Sequence, residues 1–80
     1  MKRVRNAMEF AKARERLGMT KVDVATLLRL PKPQTSGYRT VSRWEAQQQR
    51  VPGSAMTAME AFLSGWRPSW WKKDDDATAA

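Results

Sequence analysis

The 80-residue sequence has no cysteine and no histidine, only four glycines and four prolines, and eight acidic residues against fifteen lysines and arginines. Without cysteine there is no disulfide and no thiolate, which suits a reducing cytoplasm. Glu9, Glu15, Asp23, Glu45 and Glu60 fall at cap, ion-pair or solvent positions. With histidine also missing, neighbouring residues assemble no metal cluster, nucleophile–base pair or carboxylate dyad. No glycine-rich phosphate loop is present either. An enzyme is therefore the class least expected, and no metal, cofactor or small-molecule substrate is expected.

Long apolar runs are missing too. The opening MKRVRN resembles the basic segment of a signal peptide, but Glu9, Lys12 and Arg14 interrupt the apolar run that must follow. Nothing later approaches the roughly 18 apolar residues of a membrane span. The expected location is the cytoplasm of a bacterial or phage-infected cell, away from the membrane.

What the chain does have is positive charge, unevenly placed. Residues 1–50 carry twelve Lys and Arg against four acids, whereas residues 51–80 carry three against four. A one-sided basic surface is what a polyanion binder needs, because each neutralised phosphate releases condensed counterions. Solvated faces and membrane-surface helices produce similar totals. A chain of this size buries roughly 60–65% of its unfolded surface, so one thin core helped by a partner subunit is expected.

Hydrophobic spacing predicts only helices. The first spans 6–17, with Asn6 as N-cap, Gly18 as stop, and Phe10, Ala13 and Leu17 on the apolar side with Ala7 and Met8 nearby. The second begins at Thr20, which with Asp23 forms a capping box. It carries Val24, Leu27 and Leu28 as its stripe and Ala25 as a point of close approach, and it ends at Pro31. PKPQTSG, residues 31–37, reads as a loop.

The third helix runs 38–48, capped by Ser36 or Gly37. Its Val41, Trp44 and Gln48 share one side, opposite Arg39, Ser42, Arg43, Ala46 and Arg50. Pro52 and Gly53 turn the chain into a fourth helix capped by Ser54, striped by Met56, Met59, Phe62 and Leu63, and stopped by Gly65. The final stretch contains Trp66, Trp70 and Trp71, then a polar end expected to fray.

A helix that reads a major groove projects paired donors from its exposed face, and an arginine fork matches O6 and N7 of guanine. Arg39, Ser42 and Arg43 are the expected base contacts. Phosphate contacts are expected from Thr20 and Lys21 at the start of the second helix. Lys32, Gln34, Thr35 and Ser36 in the loop, Tyr38 and Arg50 complete that set.

Leu17-Gly18-Met19-Thr20, Ala25, Leu28, the Val41-Ser42-Arg43-Trp44-Glu45 run and Pro52 together resemble Cro/repressor-type (XRE-like) helix-turn-helix proteins over residues 8–64. The resemblance implies an all-α fold of four to five compact helices in a domain of residues 1–66, with residues 67–80 as a Trp-rich extension. It implies a homodimer on double-stranded DNA that regulates transcription, with Val41 and Trp44 in the core and an Arg14–Glu45 ion pair. The chain departs from the family in the turn before the third helix, which is several residues longer.

Trp66 is expected to fold onto the core and Trp70 and Trp71 to form the dimer interface. A membrane anchor competes for these two: Lys72 and Lys73 favour it, and Asp74, Asp75 and Asp76 oppose it. The alternative function is an antitoxin or accessory protein-interaction module that binds DNA only with a partner, and RNA binding ranks lower.

Overall fold

Side-chain caps fix the starts of the first two helices. The computed structural model describes residues 3–71, and among them the elements are α1 (Ala7–Arg16), α2 (Lys21–Leu27), a turn of π-helix (Pro33–Gly37), α3 (Tyr38–Glu45) and α4 (Gly53–Leu63), with no strand. The fold class is all-α. The expected fraying and the charges at Lys72, Lys73, Asp74, Asp75 and Asp76 lie outside the described residues.

Asn6 adopts extended backbone and its Oδ1 accepts from the Glu9 amide at 2.9 Å. The Glu9 carboxylate in turn accepts from the Arg5 guanidinium and the Arg5 amide, and these bonds hold its pKa below the usual value. At α2, Thr20 Oγ1 accepts from the Asp23 amide at 3.0 Å while the Asp23 carboxylate accepts from the Thr20 amide at 2.8 Å, a complete capping box. α4 departs from expectation. It starts two residues early, at Gly53, with Pro52 in the cap position; the proline ring has no acceptor and so gives no side-chain cap, and Pro52 O accepts from the amides of Ala55 and Met56.

All four α-helices close in the same way, through a residue at positive φ whose successor's amide returns to a carbonyl one turn back. Gly18 (φ 69°) and Gly65 (φ 99°) do this for α1 and α4, where the sequence places glycine stops. Arg29 (φ 57°) does it for α2, with Leu30 N donating to Ala25 O. Gln47 (φ 62°) does it for α3, with Gln48 N donating to Arg43 O. Helix two thus ends at Leu27, well before Pro31, and helix three at Glu45, short of Gln48. A left-handed non-glycine costs about 1–2 kcal/mol, and the two returning hydrogen bonds at each site offset it.

The stretch 31–37 is not a loop. Lys32 O accepts from Thr35 N and from Gly37 N (2.9 Å), the latter an i to i+5 bond, and Gly37 has helical φ and ψ that lead directly into α3. Pro33 occupies the first helical position, where its missing amide is not needed. The continuous helical segment therefore runs 33–45, and no capping side chain stands at Ser36 or Gly37. Gly37 is buried, and a Cβ on it would lie 2.9 Å from Ala25 Cβ and 3.3 Å from Leu30 Cβ.

The core is drawn from every α-helix. It comprises Phe10 and Ala13, then Val24, Ala25 and Leu27, then Val41 and Trp44, then Ala55, Met59 and Phe62, joined by Val4, Met19, Val51 and Trp71. Phe10 meets Trp44 edge to face at 5.9 Å. Leu17, Leu28, Met56 and Leu63 are half-buried at its edge, whereas Met8 is exposed.

The tryptophans reverse their expected roles. Trp71 is buried, edge-on to Phe62 at 5.1 Å, while Trp66 remains 51% exposed. Gly65 turns the chain away from α4, and Arg67 spans the Phe62 ring and donates to Phe62 O. Trp66 still meets Phe62 edge to face at 5.9 Å, and Trp71 N bonds Pro68 O where the chain brings its last indole into the core. Packing continues past residue 66.

Candidate nucleic-acid interface

The basic helix α3 is fixed from behind. Val41 is fully buried and Trp44 nearly so. Arg14 donates to both oxygens of Glu45, at 2.7 and 3.0 Å, and also to Met19 O at 3.0 Å. The hydrogen bonds to Glu45 raise the Arg14 pKa. The end of α3 is thereby tied both to α1 and to the connection between α1 and α2. A two-pronged arginine–carboxylate bond holds orientation as well as distance.

On the opposite side Arg39 and Arg43 are exposed, and neither guanidinium makes an intramolecular hydrogen bond or ion pair among the described residues. Like charges four apart cost an isolated helix about 0.2–0.5 kcal/mol, a penalty that a bound anion reverses. Ser42 does not join them. Its hydroxyl is buried without a partner, so the expected base contact is withdrawn. About 100° from Val41, Ser42 borders the apolar face. α3 packs against α1, α2 and the π-turn, and that border position is covered.

The residues expected on phosphates divide into three places. Lys21 and Tyr38 come together from α2 and α3, the ammonium 5.6 Å from the ring centroid. Thr20 is exposed, but the carboxylate of Asp23 already occupies the start of α2, so that helix end does not welcome an anion as expected. Lys32, Gln34 and Thr35 line a groove of about 240 Å³ with Val22, Thr26 and Pro33, at the seam between α2 and the π-turn.

Ser36 is exposed in the same turn, and its carbonyl accepts from Thr40 Oγ1. Arg50 stands elsewhere, in a groove with Arg5, Asn6 and Gln47. That groove holds none of the other residues expected on phosphates.

One basic residue was missed from the sequence. Arg29 ends α2, is exposed, and lies 5.3 Å from the centroid of Trp70, an indole 36% exposed. A lone arginine between Leu28 and Leu30 at the end of an apolar stripe was the available signal. Its pairing with Trp70, 41 positions away, was not legible.

Among the described residues no group of three Asp, Glu, His or Cys stands close enough to hold a metal, and no helix is long and apolar enough to cross a membrane. No family model matches the chain, and comparison with curated proteins and with solved structures found no match.

Proposed function

We propose that this protein is a sequence-specific double-stranded-DNA-binding transcriptional regulator of the Cro/repressor helix-turn-helix kind, acting as a dimeric repressor on an inverted-repeat operator. α2 and the 33–45 segment form the helix pair, and the second enters the major groove. The observation that carries the proposal is the division of α3. Its rear is locked by Val41, Trp44 and the Glu45–Arg14 pair, while two arginines whose guanidinium groups have no partner among the described residues stand on its front.

Arg39 and Arg43 are the base readers in this mechanism. Lys21, Tyr38, Lys32, Thr35 and Ser36 hold the flanking backbone, where contacts fix register without specifying sequence. The exposed indoles Trp66 and Trp70, with the uncharged outer face of α4 (Ser54, Thr57, Ala58, Ala61), provide the surface for a second copy. Two copies about one helical turn apart would occupy both half-sites and block polymerase.

Selection of bound fragments from random duplex DNA tests this. A regulator retains one short inverted repeat at least about 10³-fold better than random duplex at physiological salt. Binding that appears only with an added protein partner favours the accessory-module alternative instead.

A further inference from the structure

We infer that the groove between the start of α1 and the connection from α3 to α4 binds a free nucleoside monophosphate, with Arg50 on the phosphate and glutamine carboxamides on the base. The inference goes beyond the regulator proposal above and stands without it.

The groove encloses about 430 Å³, within the usual range for small-molecule sites. Its residues come from three separate parts of the sequence, 5–7, 47–51 and 56, so no local pattern announces it. The base of the groove is apolar: Val51 is buried, and Ala7 and Met56 are half-buried. Around it stand Gln47, Gln48 and Gln49, all exposed, and their carboxamides have no hydrogen-bond partner among the described residues. Gln47 holds left-handed backbone (φ 62°) and Gln48 N donates to Arg43 O, so the chain that presents these carboxamides is fixed to the end of α3.

The two arginines of the groove are not equivalent. Arg5 is already bonded to the Glu9 carboxylate, at 3.0 and 3.3 Å, whereas the exposed Arg50 guanidinium has no partner among the described residues. The backbone amides of Gln49, Arg50 and Val51 likewise donate to no described residue. A free guanidinium beside unbonded amides suits an oxyanion. Each carboxamide offers one donor and one acceptor, the complement of a nucleobase edge, and the apolar base of the groove takes the ring plane. Inorganic phosphate, or a phosphate of a DNA strand, would use Arg50 and leave the carboxamides and the apolar surface unemployed. The recess also holds none of the other residues expected on DNA phosphates.

The test uses the full chain without DNA. It is titrated calorimetrically with adenosine, guanosine, cytidine and uridine monophosphates, with the free nucleosides and inorganic phosphate as controls, and the contacts are mapped by amide NMR. At least one nucleoside monophosphate should bind one to one, at least about 10-fold tighter than phosphate or its own nucleoside, and should shift the amides of 5–7 and 47–51. Arg50→Ala, at an exposed position, should leave melting unchanged and weaken that binding roughly 10- to 150-fold. The double variant Gln48→Ala, Gln49→Ala should weaken nucleotide binding without altering that of phosphate. No nucleotide bound at millimolar concentration, phosphate bound as tightly as any nucleotide, or either variant binding nucleotide as wild type does overturns the inference. A short duplex that shifts these amides where no mononucleotide does makes the groove a DNA-backbone contact and overturns it too, leaving the regulator proposal to the Arg39 and Arg43 variants.

Discussion

Gly37 and Ala25 meet where α2 crosses the segment leading into α3, so closely that a methyl group on Gly37 would stand 2.9 Å from the Ala25 Cβ. Both atoms would be fixed by backbone, and neither can rotate away. Gly37→Ala gains about 1 kcal/mol of helix propensity but incurs roughly 1–3 kcal/mol of overpacking, so a net loss of about 1 kcal/mol is expected by chemical denaturation. In the double variant Ala25→Gly, Gly37→Ala the 2.9 Å clash is gone and only the looser 3.3 Å approach to Leu30 Cβ remains. Its stability should exceed the sum of the two single effects, and simple additivity would refute the contact.

Arg14 and Glu45 are 16% and 10% exposed, sheltered enough that losing one partner strands the other. Glu45→Ala or Arg14→Ala should cost about 2–4 kcal/mol, and a double-mutant cycle should return a coupling above about 1 kcal/mol. Because the pair is screened little by solvent, 0.5 M salt should change that coupling only slightly. A coupling that vanishes in salt would mean an ordinary surface ion pair.

Arg39→Ala and Arg43→Ala remove exposed side chains with no hydrogen bond or ion pair among the described residues. Melting should shift by no more than the equivalent of about 0.5 kcal/mol, whereas specific DNA binding should weaken by about 1–3 kcal/mol with relaxed preference at one base pair. Equal weakening on all duplexes would assign these arginines to phosphate.

The three C-terminal tryptophans should separate by experiment. Trp71→Ala empties the space beside Phe62 and should destabilise the monomer by about 3–5 kcal/mol. Trp66→Ala removes a half-exposed ring and should cost under about 1 kcal/mol while weakening self-association in light scattering. Trp70→Ala should also free Arg29. Unchanged association in the Trp66 and Trp70 variants together would remove the proposed dimer surface.

Much of the fold was written locally. The Asn6 cap, the Thr20–Asp23 box and the stops at Gly18 and Gly65 each depend on a few neighbouring residues, and the structure forms all of them. The same holds for the inward faces of Val41 and Trp44, since helical periodicity needs no distant information. That the chain is all helix, and that its arginines gather on one side of α3, followed from the sequence alone.

Other features were decided at long range. PKPQTSG reads as a loop because its prolines and glycine oppose a helix interior. It is helical because Pro33 suits a first position and Gly37 gains a contact with Ala25, which no local pattern displays. Arg29 and Gln47 end their helices without the glycine that signals such an end. Which indole is buried, and whether the Ser42 hydroxyl faces outward, depended on how the chain turns back after Gly65 and on how many neighbours crowd α3. Local sequence restricts dihedral angles and periodic faces, but burial depends on segments meeting in space, and only the assembled tertiary structure fixes those meetings.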